Sequence, residues 1–266
     1  MSASSSKGTA LITGASTGIG VVYADRLARR GYDLVLVARR QEKLAGVAAQ
    51  LKETGRKIET LQADLTVKED VQRVAERLSG DPAITALVNN AGVGSAGKLL
   101  DAKIDDLEAM IYLNVTALTR LTLAALPGFV ARKNGLIINI ASIVALAPEL
   151  LNGTYSGSKA YVVNFTQALK NEVAAKGITV QAVLPGATAT PFWDKAGLPV
   201  EHLPSEMVMT AEDMVDASLA GLDQGELITI PALPELASWE RFEGARKELG
   251  PQLSLKVPAR RYGVTA

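Results

Sequence analysis

Tyr155 and Lys159 stand four residues apart in the segment GTYSGSKAY, and Ser142 lies thirteen residues before the tyrosine. Together they offer a phenol, a cation and an alcohol hydroxyl. If the segment is helical, positions i and i+4 share a face, so the ammonium sits beside the phenol and favours its ionised form. An unperturbed phenol, with a pKa of about 10, is a poor acid or base near neutrality, and a neighbouring positive charge brings it closer to use. Pairs of this kind also occur on ordinary solvated helices, so their meaning depends on the elements that position them.

The first such element lies at the other end of the chain. Thr9-Ala10-Leu11-Ile12 reads as a short buried strand running into Thr13-Gly14-Ala15-Ser16-Thr17-Gly18-Ile19-Gly20, and a helix follows through Val22, Ala24 and Leu27. A strand, a glycine-rich turn and a helix start, in that order, gather backbone N–H groups and a positive helix end around an anion. The spacing Gly14-x-x-x-Gly18-x-Gly20 differs from GxGxxG, and no GK[ST] follows as an NTPase phosphate loop requires. The anion expected here is a pyrophosphate.

Strands and helices then alternate. Apolar runs at 33–38, 58–63, 84–88, 136–140 and 178–184, with a seventh at 226–230, are separated by helical stretches, among them a long amphipathic region from about Ile104 to Phe129. Near-continuous apolar strands between helices predict an α/β, Rossmann-like, doubly wound parallel β-sheet with helices on both faces. Ligands of such sheets sit beyond the carboxyl ends of the strands, where Gly14, Arg39, Asp64, Asn90, Ser142 and Pro185 all fall.

Composition narrows the function. The chain has 266 residues, 48% of them hydrophobic, and carries 28 basic against 28 acidic side chains. That suits one large catalytic domain over 8–232, after a flexible 1–7, with a helix and tail over 233–266 packed on it. Zero net charge gives no general attraction to nucleic acid or anionic membrane. The absence of cysteine excludes a disulfide framework and a thiolate nucleophile and fits a reducing, cytoplasmic setting. The N-terminus lacks an apolar signal core, and no later run reads as the roughly 18 apolar residues of a membrane span. One histidine, His202, cannot build a multi-histidine metal site, and no metal is expected.

At this point the chain resembles the short-chain dehydrogenase/reductase family, in its compact branch. The resemblance rests on TGxxxGxG at Thr13 to Gly20, NNAG at Asn89 to Gly92, Asn114, Ser142, YxxxK at Tyr155 and Lys159, and Pro185-Gly186 with Thr188 and Thr190. It implies an NAD(P)-dependent oxidoreductase in which Tyr155 is the general acid/base, Ser142 positions the substrate and Asn114 belongs to a proton relay. Lys159 would lower the tyrosine pKa and reach the nicotinamide ribose. Gly14, Ser16, Thr17, Gly18, Ile19 and Gly20 would hold the pyrophosphate side. Asn90, Ala91 and Gly92 would lie near the adenine ribose, and Asp64 with Leu65 at the adenine. Pro185, Gly186, Thr188 and Thr190 would cover the nicotinamide. Asp64 could instead cap the helix after Thr66.

The residue after the second strand decides the cofactor. An acidic side chain there favours NAD; this chain has Arg39 and Arg40, whose guanidinium groups suit the extra phosphate, so NADP(H) is expected over NAD(H). An arginine pair opening a helix could also simply face water. The loop 190–210, with Phe192 and Trp193, and the segment Ile143 to Leu151 suggest a mainly aliphatic pocket for a neutral, fairly hydrophobic ketone, aldehyde or secondary alcohol. Phe192 and Trp193 fit local loop packing equally well. The family resemblance further implies a homodimer or homotetramer. Two alternatives stay open: a non-catalytic dinucleotide-responsive regulator, and an epimerase or dehydratase on the same fold. The retained Asn114, Ser142, Tyr155 and Lys159 argue against the first, and the glycine spacing against the second.

Overall fold

The computed structural model describes residues 7–264, so the expected flexible N-terminus lies outside the described residues except for Lys7, whose N–H bonds Gly31 O at 3.1 Å. Seven parallel strands form one sheet: β1 Thr9–Thr13, β2 Asp33–Ala38, β3 Ile58–Gln62, β4 Ile84–Asn89, β5 Gly135–Ile140, β6 Ile178–Val183 and β7 Ile228–Thr229, in the order β3-β2-β1-β4-β5-β6-β7. The order reverses between β1 and β4, which opens a crevice beyond their carboxyl ends. The last strand is shorter than its apolar run suggests, with only Ala182 and Val183 of β6 in register with it.

Each strand buries both faces, and successive side chains feed opposite layers. On β1 and β2, Ala10, Ile12, Leu34 and Leu36 join one cluster while Leu11, Val35 and Val37 join the other. The first layer contains α1 (Ile19–Arg29), α2 (Gln41–Leu51) and α8 (Ala211–Asp223). Between α1 and α8, buried Tyr23 bonds Ser218, and Arg26 and Arg30 pair with Asp216 and Asp223. The second layer contains α3 (Lys68–Gly80), α5 (Leu118–Arg132) and α6 (Gly153–Val173), through Val74, Leu121, Phe129 and Leu169. Fully burying one such side chain contributes about 1.5–3 kcal/mol, so both layers hold the strand ends firmly in place.

The predicted amphipathic region is not one regular helix. α4 (Ile104–Ile111) passes through a π-helical segment, Tyr112–Ala117, before α5 begins. Within the 29-residue stretch Ile104–Arg132 a window of 18 residues has a mean hydropathy of 1.4, enough by length and composition alone to cross a bilayer, where the sequence reading expected no such run. Its buried residues Leu113, Ala117, Leu121, Ala125 and Phe129 recur on one side and pack in the second layer.

Residues 232–266 form a separate compact unit. Its helix α9 (Leu236–Leu249) has Trp239 and Phe242 rings 5.5 Å apart and contains no buried residue. Residues 253–258 of the tail form no strand.

Candidate active site

Helix α6 carries the phenol and the amine because its buried stripe, Tyr155, Ser158, Lys159, Val162, Val163 and Thr166, follows the helical repeat. Asn152 opens the helix by accepting the Thr154 N–H at 2.9 Å, and its amide donates to Gly97 O at 2.8 Å. Deeper in, Asn139 of β5 donates to Thr166 Oγ1 at 2.9 Å and accepts from Asn89 of β4 at 2.9 Å. This buried ladder fixes the helix against the two strands that deliver the rim. Ser142 follows β5 and stands beside the Tyr155 phenol, whose pKa its hydroxyl acts to lower.

Tyr155 is 5% exposed, and burial pushes its phenol up to about 12, with the Ser142 hydroxyl pulling the other way. The expected lowering by Lys159 is therefore not what dominates here. The Lys159 ammonium lies 5.8 Å from the tyrosine ring centroid and donates to Ile140 O at 2.9 Å; burial lowers its pKa to about 8. Both groups thus have their charged forms disfavoured by desolvation. At neutral pH the tyrosine holds its proton and the lysine is mostly cationic, an arrangement suited to giving a proton to an oxygen beside Ser142.

The structure brings nearly all the expected residues to one cleft of about 390 Å³, lined by Gly14, Ser16, Thr17, Gly18, Ile19, Arg39, Arg40, Asp64, Leu65, Asn90, Ala91, Gly92, Ser142, Tyr155, Lys159, Pro185, Gly186, Thr188 and Thr190. Two expected residues stay out of the lining. A Cβ on Gly20 would lie 2.4 Å from Gly14 O and 2.6 Å from Asn90 Nδ2, so this glycine lets α1 close onto the turn rather than a ligand onto the backbone. Asn114 is 2% exposed in the π-helical segment; its carboxamide exchanges bonds of 3.0 and 2.9 Å with the Val93 N–H and carbonyl and donates to Ser158 Oγ at 3.1 Å. Its side chain ties the rim to α6 and does not face the cleft.

Several lining residues also serve inward. Asn90 Nδ2 donates to Thr13 O at 2.9 Å, and Thr13 Oγ1 accepts the Asn90 and Ala91 N–H groups at 3.0 Å each. Asp64 accepts from the Thr66 N–H and hydroxyl at 3.0 and 2.7 Å and faces Arg39 at 3.8 Å. It makes a turn before α3, whose N-cap is Val67, and is not the helix cap. Ser142 Oγ and the Ile143 N–H donate to Pro185 O at 3.4 and 3.0 Å, joining the strand ends. Thr188 O accepts from Trp193 Nε1 at 2.9 Å, and Thr190 packs on Gly18.

The cleft fits a dinucleotide. Gly14 and Gly18 hold φ of 66° and 56°, conformations that keep the turn free of side chains at the first helix start. One end is cationic through Arg39 and Arg40, and the other is walled by Leu150, Leu151, Phe192, Leu198 and Met207. Of the expected segment, Ala145, Leu146 and Pro148 stay outside the wall. Val93, Gly94 and Lys195 line it without having been expected; Gly94 leaves space for Phe192, whose Cζ would lie 2.4 Å from a Cβ there. A glycine just beyond NNAG was a usable signal, whereas Lys195 sits in a five-residue helix too short to show a helical repeat.

Comparisons with known proteins agree with this geometry. Residues 8–199 match the short chain dehydrogenase family profile. The chain is 36% identical over 216 residues to 17-beta-hydroxysteroid dehydrogenase type 3 of Homo sapiens, covering 79% of this chain and 66% of that protein. It is 38% identical over 186 residues to the Danio rerio very-long-chain 3-oxoacyl-CoA reductase-A, covering 68% and 58%. Thus it spans about two thirds or less of these curated relatives. Among solved structures it is similar to a short-chain dehydrogenase from Sphingobium yanoikuyae in complex with NADPH, with a TM-score of 0.92, 46% identity and coverage of 95% of this chain and 98% of that one. The bulky-bulky ketone specific alcohol dehydrogenase from Comamonas testosteroni is similar with a TM-score of 0.88, 41% identity and coverage of 96% and 98%. With its seven-stranded sheet, its glycine turn and a serine, tyrosine and lysine meeting at the switch point, the chain belongs to the short-chain dehydrogenase/reductase family of oxidoreductases.

Proposed function

We propose that this protein interconverts a ketone flanked by bulky apolar groups and the matching secondary alcohol, using NADP(H). The observation that carries the proposal is the buried Ser142–Tyr155–Lys159 cluster in a cleft that is cationic at one end and apolar at the other. The apolar wall favours a neutral substrate, and relatives named for hydroxysteroids and bulky ketones support the same substrate class.

When bound, the nicotinamide supplies or accepts the hydride. Tyr155 gives its proton to the carbonyl oxygen, and Ser142 stabilises that oxygen by a second hydrogen bond. Because burial holds the phenol near 12, it keeps its proton throughout the neutral range, which is the form that donates in the reduction direction. Lys159 holds positive charge behind the phenol, with Ile140 O fixing its direction. Asn114 secures the Val93 backbone and Ser158, and through them the seating of the lysine's turn of helix. Arg39 and Arg40 discriminate for the 2′-phosphate. Exposed Ile111 and Leu123 on the α4–α5 stretch suit assembly into a homodimer or homotetramer.

The test follows NADPH absorbance with ketones of graded bulk. Wild type should turn over, and Tyr155→Phe should lose about 10²–10⁴ in kcat while still binding NADPH. Arg39→Asp should weaken NADPH far more than NADH. Undiminished turnover in Tyr155→Phe, or tight cofactor binding with no turnover of any carbonyl or alcohol, overturns the proposal.

A further inference from the structure

Helix α7 (Phe192–Ala196) is pinned on both sides of its one exposed lysine. Trp193 Nε1 donates to Thr188 O at 2.9 Å, and the Ala96 N–H donates to Ala196 O at 2.9 Å. The chain enters α7 directly over the glycine turn, since a Cβ on Gly18 would lie 2.9 Å from Thr190 Cγ2. From there Lys195 reaches the wall of the cleft that also carries Arg39 and Arg40.

The charge balance at this end is one-sided. Among the described residues neither Arg40 nor Lys195 forms an ion pair, and Arg39 has only Asp64, at 3.8 Å, the one carboxylate on the wall. Partial burial first, and then the charges of Arg39, Arg40 and Lys43, hold the Lys195 ammonium below its ordinary value. Three cations thus line this cleft with a single carboxylate, so a multiply charged anion bound there would meet three cationic donors. In a dinucleotide laid from the glycine turn toward β2, the group reaching this end is the one carried on the adenosine ribose.

We propose that Lys195 completes, with Arg39 and Arg40, a clamp for the 2′-phosphate of NADP(H), so that the phosphate fastens the substrate loop. The inference rests on the NADP(H) reading above. Phe192 and Trp193, which wall the substrate end, ride on the same short helix as Lys195. Cofactor identity is thereby transmitted to the substrate pocket: NADPH stills the loop, and NADH, lacking the phosphate, leaves it looser.

The experiment combines fluorescence titration of NADPH and NADH with amide hydrogen exchange across residues 188–207, for wild type, Lys195→Gln and Lys195→Arg. Lys195→Gln should raise the NADPH Kd about tenfold and the NADH Kd by less than about twofold, and Lys195→Arg should restore most of the loss. In wild type NADPH should slow exchange in the loop more than NADH does, and Lys195→Gln should erase that difference. An unchanged NADPH Kd, equal losses for both cofactors, or equal loop protection by both in wild type overturns the clamp. Tighter binding of NADH than NADPH by wild type would instead overturn the cofactor reading itself, and the unchanged NADH Kd of Lys195→Gln serves as its folding control.

Discussion

Lys159 carries its charge in a place that disfavours charge, and the consequence can be measured without a substrate. It is 6% exposed, and burial lowers its pKa from 10.5 to about 8. The unfolded chain keeps this proton up to about 10.5, while the folded protein gives it up from about 8, so between these values the unfolded state binds more protons and stability rises with pH. The interval from 10.5 to about 8 corresponds to about 3 kcal/mol, all of it a penalty below pH 8 that is relieved as pH climbs. Tyr155 and Tyr23, both raised by burial, act in the opposite sense, but only above the ordinary phenol value of about 10. Urea unfolding of wild type should therefore give a free energy that is level from pH 6 to about 7.5, rises between about 8 and 10, and falls beyond. Lys159→Met keeps the length of the side chain and removes the charge. Its curve should be flat between about pH 8 and 10, and at pH 7 it should exceed wild type by about 2 kcal/mol, after about 1 kcal/mol for the Ile140 carbonyl that loses its donor. Parallel curves for the two proteins would refute the assignment of the rise to Lys159.

Two glycines make a matched pair. Gly20→Ala places a methyl 2.4 Å from Gly14 O, which should cost about 1–3 kcal/mol and weaken NADPH binding, whereas Gly157→Ala, inside α6 with nothing within 4 Å, should add about 0.5–1 kcal/mol. Thermal unfolding with and without NADPH checks both, and a lower Tm for Gly157→Ala would contradict the open space at that site. Phe192 lies 5.9 Å from the Tyr155 ring and 5.7 Å from the Trp193 ring. Phe192→Ala should raise kcat/KM for the bulkiest ketones relative to the smallest, and an unchanged ratio across a graded series would show that the ring does not bound the pocket.

The sheet was legible because strands buried on both faces leave unbroken apolar runs, and the phenol–lysine face was legible because the helical repeat places 155, 158 and 159 on one side. What escaped depends on contacts between distant segments. Gly20 and Asn90 match a cofactor motif, yet one faces a carbonyl of its own turn and the other spans to Thr13. The rise in the Tyr155 pKa comes from burial, which no local spacing encodes. Lys195 belongs to a segment whose base is closed where the Ala189 N–H donates to Met209 O and the Met209 N–H donates to Ala187 O, at 2.9 Å each, and that closure brings it toward Arg39. β7 shrank because only a short part of its apolar run has a partner strand beside it.

The π-helical segment at Tyr112–Ala117 separates two faces that a regular helix would have merged. Each residue of an α-helix turns the next by about 100°, so deleting one residue from this wider coil would rewind it and swing everything upstream by about that angle. Met110, now packed with Tyr155 and Val144, would rotate off the site while Leu121 and Phe129 kept their seats beneath the sheet. A shortened chain of that kind would still fold around its central sheet and would have misplaced the asparagine that braces the rim. Length in this stretch is thus as much a specification as residue type.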